Sequence, residues 1–255
     1  MKNYMLKKMI SKIEKDGCVW ELNNLISKSE ENYIFEYNNE IIKISDKNGP
    51  LFCEMHFLKR HNHKNIVKLI KSGVIDEYRF LILEKYDYDL SKYLHTDISK
   101  LYKDILNALQ YIHNSFYIHG DIKPSNIFVK ENEYYLGDFE TTKLYYYKRL
   151  DKYKKNDKSK NIGTKEYLSI LGHKGCSYSR KADLESFGYT LYFLIYKTLP
   201  WNKDDSYDEV YNSKIELFKN LKKIKNKSLY KYFKYVDKLE YKEKPDYDKF
   251  LLLFK

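Results

Sequence analysis

The chain has 255 residues, of which 43% are hydrophobic and 33% are charged, so it can bury a sizeable core and is not a disordered polymer. Its net charge of +11 is compatible with nucleic-acid or acidic protein partners, although a Lys excess spread over a surface is more often only solvated. Three widely spaced cysteines, Cys18, Cys53 and Cys176, show neither a disulfide framework nor metal-ligand spacing, and no apolar run is long enough to cross a membrane.

Residues 1–16 alternate Lys with Met, Leu and Ile at roughly helical spacing. This pattern predicts a short amphipathic helix, an N-terminal extension packed on the body of the protein. The stretch that follows is rich in strand-forming residues, and the pair Asn38-Asn39 between two apolar runs predicts a β-hairpin.

Lys43 lies within the second apolar run of this hairpin, and Glu54 follows in a segment, Phe52 to Leu58, that is predicted to be helical. Taken alone, Lys43 would be interpreted as an edge-strand lysine that points to solvent. An ion pair between Lys43 and Glu54 is the alternative that the neighbouring residues favour.

Further along, Arg79 to Glu84 has the pattern of a buried strand, and the apolar spacing from Ile98 to Ile112 predicts a helix. Asp89 is expected to cap a helix that begins at Leu90.

The stretch Ile118 to Glu140 carries two carboxylates, Asp121 and Asp138, with Lys123 and Asn126 between them. Two short β-prone runs joined by a polar turn would bring Asn126 and Asp138 to the same end of one hairpin. Phosphoryl transfer needs a carboxylate to receive a hydroxyl proton, a cation on the moving phosphate, and oxygen ligands for Mg²⁺. The stretch therefore suits that reaction.

The spacing H-x-D-x-K-x-x-N followed by D-F resembles the catalytic and metal-binding segments of protein kinases, and aminoglycoside-type phosphotransferases carry a similar string. The stretch Gly163-Thr164-x-x-Tyr167-x-Ser169-Ile170, followed by Ser179 to Tyr189 and by Leu199-Pro200-Trp201, closely resembles the casein kinase I and vaccinia-related kinase group. Aminoglycoside phosphotransferases lack these features. The resemblance implies an α+β, two-lobe protein kinase-like fold, with a small β-rich N-lobe over about residues 17–86 and a larger helical C-lobe over about residues 87–255.

This resemblance also implies a role for each polar residue of the central stretch. Asp121 would orient the substrate hydroxyl and accept its proton, and Lys123 would neutralise the moving phosphoryl group. Asn126 and Asp138 would hold Mg²⁺. The residues expected to bind ATP lie in the N-lobe and the connector between the lobes: Lys43, Glu54, Ile26, Ile34, Leu83, Glu84, Tyr86 and Asp89.

Two further residues would support the catalytic segment, according to the same resemblance. Asp183 would accept hydrogen bonds from its backbone N–H groups, and Thr164 would hydrogen-bond near Asp121 and Lys123. His119 is expected to be a buried structural histidine rather than a catalytic base.

Three positions depart from the kinase pattern. Ser27 to Asn32 contains no glycine where kinases place a glycine-rich turn over the phosphates, and its acidic residues should weaken triphosphate binding. Gly120 replaces an arginine that pairs with a phosphorylated loop, so we expect no requirement for such phosphorylation. Glu140 replaces the glycine of D-F-G. A catalytically weak or inactive pseudokinase, acting as a binding or scaffold module, is therefore the alternative to an active Ser/Thr protein kinase.

The stretch Lys143 to Lys165 is strongly basic, which is typical of a solvated loop or of a docking loop for acidic or already phosphorylated protein substrates. Nucleic acid is the weaker alternative partner, and membrane association is not expected. We expect a monomer in a reducing compartment. The abundance of Tyr, Lys, Asn and Ile indicates an AT-rich genome, such as that of many viruses. The cytoplasm, of a host cell if the chain is viral, is the expected location, with the nucleus as an alternative.

Overall fold

The computed structural model describes residues 11–92, 97–153, 163–176 and 179–254. The chain divides into two compact units. One comprises the residues up to Asn62 together with Val67–Lys85, and the other comprises His63–Ile66 and the chain from Tyr86 onward. The first unit is rich in strands and the second is mostly helical, so the predicted α+β class is confirmed.

The strands of the first unit are β1 (Lys12–Lys15), β2 (Cys18–Glu21), β3 (Leu25–Lys28), β4 (Asn32–Tyr37), β5 (Glu40–Asp46), β6 (Leu69–Ile75) and β7 (Tyr78–Glu84), and its helix is α1 (Leu51–Leu58). The strands of the second unit are β8 (Tyr88–Asp89), β9 (Tyr117–Ile118), β10 (Ile127–Lys130), β11 (Glu133–Leu136), β12 (Lys143–Leu144), β13 (Tyr146–Tyr147) and β14 (Lys152–Tyr153). Its helices are α2 (Ile98–Asn114), α3 (Ile170–His173), α4 (Arg180–Tyr196), α5 (Tyr207–Lys219), α6 (Lys227–Lys238) and α7 (Tyr247–Leu251).

The main sheet of the first unit has five antiparallel strands in the order β3-β4-β5-β7-β6. The predicted hairpin is confirmed, because Tyr37 pairs with Glu40 and leaves Asn38-Asn39 as a two-residue turn. Asn38 has a φ of 53°, a left-handed conformation that asparagine tolerates better than most residues.

A separate hairpin, β1–β2, provides part of the hydrophobic core of the first unit. Its Ile13 and Trp20 are paired across the hairpin and are buried. They join a cluster of buried residues that contains Leu22, just after β2, and residues of β4, β5 and β7: Phe35, Ile42, Ile44, Phe80 and Ile82. The cluster thus occupies one face of the five-stranded sheet.

The helix expected over residues 1–16 is wrong over its last part, because Lys12–Lys15 is a strand; residues 1–10 lie outside the described residues. Asp16 and Gly17, with φ angles of 50° and 77°, form the two-residue turn that leads into β2. An Asp-Gly pair is a strong hairpin signal, and the burial of Ile13 against Trp20 stabilises the hairpin over a local helix.

The second unit is built around α2 and α4, which are buried along much of their length. The predicted helix from Ile98 is confirmed, and Asp97 caps it by accepting a hydrogen bond from the Lys100 N–H at 3.0 Å. Buried tyrosines in this core use their hydroxyls in hydrogen bonds. The hydroxyl of Tyr102, for example, donates to the carbonyl of Phe250 at 2.7 Å. Such pairing makes it possible to bury a polar tip.

The helix expected to begin at Leu90 is wrong over residues 90–92, which form a turn; residues 93–96 lie outside the described residues. The carboxylate of Asp89 accepts the N–H of Ser91 at 2.9 Å, and this local hydrogen bond favours a turn over a helix. Within the described ranges, none of the helices combines the length and the apolarity needed to cross a bilayer.

Candidate active site

Asp121 follows strand β9, and hydrogen-bond donors reach both oxygens of its carboxylate. Oδ1 accepts from the backbone N–H and from the hydroxyl of Thr164, at 2.8 and 2.7 Å. Oδ2 lies 2.8 Å from Nζ of Lys123 and accepts from Nδ2 of Asn126 at 3.2 Å. The side chain is 11% exposed, so the carboxylate is fixed in orientation yet remains accessible to a ligand.

Lys123 closes this cluster, because its Nζ also donates to Oγ1 of Thr164 at 2.8 Å. The predicted hydrogen bonding of Thr164 with Asp121 and Lys123 is therefore confirmed. An ammonium has three N–H donors, and two of them are used here. No described residue takes the third, which can serve an anionic group such as a phosphoryl oxygen.

The backbone that leads into this cluster is held by Asp183 of helix α4, a residue that is only 2% exposed. Its two oxygens accept the backbone N–H groups of His119 at 2.7 Å and of Gly120 at 2.9 Å, as predicted. Its Oδ2 also lies 2.9 Å from Nε2 of His113. Burial lowers the pKa of His113, although the neighbouring carboxylate opposes this effect. The neutral imidazole can then donate from Nε2 to Asp183.

His119 is fully buried and has a structural role, as predicted. Its Nε2 lies 3.0 Å from the carbonyl of Gly137, its Nδ1 accepts the N–H of Asp121 at 3.3 Å, and its ring packs edge-on against Phe139. The ring thus joins the segment before Asp121 to the end of the β10–β11 hairpin.

Gly120 has a φ of +87°, a conformation that side-chain-bearing residues rarely adopt. A Cβ at this position would lie 3.3 Å from Oγ1 of Thr141, which donates to the carbonyl of His119 at 2.7 Å. The backbone conformation therefore favours glycine here over the arginine of the kinase pattern.

Asn126 and Asp138 flank the same end of the β10–β11 hairpin, as predicted. The N–H of Gly137 donates to the carbonyl of Asn126 at 3.0 Å and closes that end. Nδ2 of Asn126 donates to the carbonyl of Asp121 at 2.8 Å, which leaves the amide oxygen for other ligands. A carboxylate and an amide oxygen are hard donors of the kind that Mg²⁺ prefers, so this pair of residues fits that ion. Asp138 has a φ of 64°, an uncommon conformation for a residue with a side chain.

The segment that carries Thr164 is anchored by a buried lysine that sequence reasoning missed. Lys214 on helix α5 is fully buried, and its Nζ donates to the carbonyls of Lys165 at 2.8 Å and Leu168 at 2.6 Å. It also lies 3.0 Å from Nε2 of His173. Burial lowers the pKa of Lys214 to about 7. Burial also lowers the pKa of His173 to about 4, and the positive charge of Lys214 contributes to this shift.

Glu185 of helix α4 complements this lysine. Its Oε1 accepts the N–H of Ile170 at 2.6 Å and the hydroxyl of Tyr189 at 2.7 Å, and burial raises the pKa of its carboxyl group. The rings of Tyr189 and Trp201 each lie 5.0 Å from Nζ of Lys214. One signal in the sequence could have revealed the cluster: Lys214 follows the buried Val210 by four residues, so a charge occupies the apolar face of a helix.

In the first unit, Nζ of Lys43 lies 2.9 Å from a carboxylate oxygen of Glu54, so the predicted ion pair is confirmed. Glu54 is fully buried on α1, and the Lys43 side chain is 11% exposed. The solvent-facing interpretation of Lys43 is wrong, because β5 lies between β4 and β7 rather than at an edge.

Three of the residues expected to bind ATP share one face of the five-stranded sheet. Ile34 is directly opposite Lys43, and Leu83 is directly opposite Ile41, two positions before Lys43 on the same strand. This face is the one opposite the hydrophobic cluster. Ile26 lies in an irregularity of strand β3 and is 50% exposed.

The turn between β3 and β4, where kinases have glycines, is closed by its own side chain. Oγ of Ser29 accepts the backbone N–H groups of Asn32 at 3.0 Å and Glu31 at 3.3 Å. The N–H of Ser29 donates to the carbonyl of Asn32 at 2.9 Å. Backbone donors that a glycine-rich turn would offer to phosphate are thus used within this turn.

The remaining three predicted ATP-binding residues follow one another at the end of the sheet and beyond it. Glu84 ends strand β7. The ring of Tyr86 packs against those of Tyr135 and Phe128, with centroids 4.8 and 5.9 Å apart. Asp89 caps the turn described above. Roles of these three residues toward a nucleotide stay predictions.

Comparison with known proteins identifies the family of the chain. Residues 31–249 match the protein kinase domain family. The probable serine/threonine-protein kinase FPV212 of fowlpox virus is 34% identical in a gapped alignment that covers 82% of this chain and 80% of the relative. The B1 kinase of vaccinia virus (strain Ankara) is 29% identical in a gapped alignment that covers 92% of this chain and 94% of the relative. Human serine/threonine-protein kinase VRK2 is 29% identical over 64% of this chain and 38% of its own length. The chain therefore belongs to the protein kinase family, in its vaccinia-related kinase group.

Proposed function

We propose that the chain is an active serine/threonine protein kinase that transfers the γ-phosphate of ATP to hydroxyls of protein substrates. One observation carries this proposal: the carboxylate of Asp121 and the ammonium of Lys123 lie 2.8 Å apart and are both held by Thr164. A carboxylate beside a lysine with one unused donor is suited to receive a proton next to a transferring phosphate.

In the proposed reaction, Asp121 orients a serine or threonine hydroxyl and accepts its proton as the bond from that oxygen to the γ-phosphorus forms. The bond from the γ-phosphorus to the bridging oxygen of ADP breaks. Lys123 donates its third N–H to the transferring group and stabilises its charge. Asn126 and Asp138 would hold Mg²⁺, which when bound neutralises phosphate charge.

We assign the nucleotide phosphates to Lys43, which is fixed by the buried Glu54. The expected lining of the nucleotide site comprises Ile26, Ile34, Leu83, Glu84, Tyr86 and Asp89. The shared sheet face of Ile34, Lys43 and Leu83 supports part of this assignment.

A pseudokinase acting as a binding or scaffold module is the second candidate, and the turn at Ser29 favours it because its donors are already used. The retained set of Asp121, Lys123, Asn126 and Asp138 favours the enzyme. Burying or ordering polar groups without a ligand is costly, so a chain without catalysis gains nothing from keeping them.

For substrates, we propose acidic or already phosphorylated serine and threonine sites, since the chain carries a net charge of +11 and the basic residues Lys148, Arg149 and Lys152 are exposed. We expect a monomer. The three cysteines are all unpaired, which fits a reducing compartment such as the cytoplasm of a host cell.

The decisive experiment incubates the purified chain with labelled ATP, Mg²⁺ and casein, beside an Asp138→Ala variant. We expect phosphoserine and phosphothreonine from the wild type and background transfer from the variant. Equal, background-level transfer by both proteins would exclude the enzyme and leave the pseudokinase. A thermal shift with MgATP then shows whether that module still binds nucleotide, because a bound ligand stabilises the fold by mass action.

A further inference from the structure

The positive charge of the chain is concentrated in one short stretch. Residues 219–238 contain eight lysines and a single acidic residue, Asp237, so this stretch holds seven of the eleven net positive charges. The eight lysines are Lys219, Lys222, Lys223, Lys225, Lys227, Lys231, Lys234 and Lys238. All of them are exposed. A uniform lysine excess would not produce this distribution.

Helix α6 arranges four of these lysines in a row. Lys227, Lys231, Lys234 and Lys238 are spaced by four, three and four residues, which places them within one narrow stripe of the helix surface. Buried apolar residues fix the orientation of the helix from the opposite side: Leu229, Tyr232, Phe233 and Val236. The stripe therefore faces solvent as a continuous row of ammonium groups.

The stripe borders a groove of about 580 Å³ between α6, the end of α5 and the 3₁₀ turn Leu221–Lys223. Five of the eight lysines are among its lining residues: Lys219, Lys222, Lys223, Lys234 and Lys238. Phe218 and Tyr230 are half-buried, so the floor of the groove is partly apolar. We call this feature the basic groove.

Carboxylates of the described residues leave most of the positive charge of the basic groove unneutralised, although Asp237 is among its lining residues. Lys219 lies 4.0 Å from a carboxylate oxygen of Glu216. The other seven lysines have no carboxylate within ion-pair distance among the residues that the structure describes. Their mutual repulsion is therefore relieved only by solvent ions or by an anionic partner.

We infer that the basic groove is a docking site for an acidic segment of a protein partner, one in which carboxylates alternate with apolar side chains. Ammonium groups along the rim match the carboxylates, and the apolar floor matches the apolar side chains. A nucleic acid fits these features less well. No arginine is among the eight basic residues, and Nζ of Lys234 lies 5.7 Å above the ring of Tyr230, where a base would otherwise stack.

The docking site extends the proposed function, because an acidic segment held in the basic groove would raise the local concentration of a substrate of which it is part. Binding itself needs neither ATP nor catalysis. The inference can therefore fail or succeed independently of the kinase activity.

The test measures the fluorescence anisotropy of a labelled glutamate-rich decapeptide containing two phenylalanines, with the whole chain and without ATP. The groove variant combines Lys222→Glu, Lys223→Glu and Lys234→Glu. The matched control combines Lys59→Glu, Lys64→Glu and Lys103→Glu, which changes the net charge by the same amount at exposed positions elsewhere. Since all six positions are exposed, thermal melting should show that both variants fold.

We expect the groove variant to weaken peptide binding by about tenfold or more and the control to weaken it by about twofold or less. Replacing the two phenylalanines of the peptide by serine should also weaken binding, which a purely ionic attraction would not explain. Equal losses in both variants, or no binding by the wild type, would overturn the inference. The inference would also be overturned if a single-stranded oligonucleotide bound more tightly than the peptide and if the groove variant lost that binding.

Discussion

The residues expected to perform chemistry and the turn expected to cover the nucleotide are held in opposite ways. In the second unit, both oxygens of Asp121 have two partners each, and the backbone before it is anchored by Asp183, which is 2% exposed. In the first unit, the turn from Ser29 to Asn32 is held by hydrogen bonds to its own serine, and both of its glutamates are exposed.

The comparison shows that the position of the Asp121 carboxylate is fixed by other parts of the unit, whereas the conformation of the turn depends on the turn itself. A fixed carboxylate requires support from several elements, whereas a turn closed by its own hydroxyl needs none. We therefore expect substitutions in the second unit to change the rate of transfer or the stability, and substitutions in the turn to change chiefly the affinity for ATP.

The largest expected effect comes from Asp121→Asn. An amide cannot accept the substrate proton, so kcat should fall about 10³-fold, or about 4 kcal/mol in activation free energy. Labelled-phosphate transfer to casein measures the rate, and a thermal shift with MgATP serves as the control for nucleotide binding. Transfer at half the wild-type rate or more would show that Asp121 is not the base.

Lys214→Met should remove a pH dependence of stability. Burial lowers the pKa of Lys214 from 10.5 to about 7, so between these values the unfolded chain binds more protons than the folded one. The free energy of unfolding of the wild type should therefore rise by about 2 kcal/mol between about pH 7 and about pH 9. Below about pH 7 both states are protonated and this contribution stays constant.

Urea denaturation at several pH values would measure this rise in the free energy of unfolding. The matched control is Lys219→Met, which removes an exposed lysine from the same helix. The control should keep the rise, and Lys214→Met should lose most of it. A rise of the same size in Lys214→Met would show that other groups cause it.

Local patterns were sufficient to predict the parts of the fold that depend on neighbouring residues. The hairpin at Asn38-Asn39 and the helix predicted over Ile98 to Ile112 are confirmed, because turn chemistry and apolar spacing act over a few residues. The resemblance to kinases added the contacts of Thr164 and Asp183. The helix expected over residues 1–16 is wrong at Lys12–Lys15, where the Asp-Gly turn at Asp16 directs a strand hairpin in spite of the helical spacing.

Contacts between distant parts of the chain could not be predicted in this way. Lys214 bonds to carbonyls 46 and 49 residues away, and no local pattern specifies which carbonyls a buried ammonium will find. The charge concentration at residues 219–238 is visible in the sequence, but the groove that it lines depends on how α5 and α6 pack.

A smaller effect is expected from Gly120→Ala. The positive φ of this residue and the short distance to Thr141 should make alanine destabilising by about 1–2 kcal/mol. Thermal denaturation measures the loss, and Gly17→Ala is an instructive comparison, since a Cβ there meets nothing within 4 Å although φ is also positive. If Gly120→Ala cost no more than Gly17→Ala, the crowding by Thr141 would be unimportant and only the backbone conformation would matter.

The smallest effect concerns the glutamates of the turn. In the double variant Glu30→Gln and Glu31→Gln, removal of two negative charges should lower KM for ATP by about two- to fivefold, or about 0.4–1 kcal/mol, because exposed charges act through water on a triphosphate. The kcat value should not change, since neither glutamate belongs to the Asp121 cluster. Raising the salt concentration should reduce the difference between variant and wild type. A change in kcat, or a KM that does not move at low salt, would show that this turn does not act on the nucleotide through its charge, and the contrast between the two units would then need another explanation.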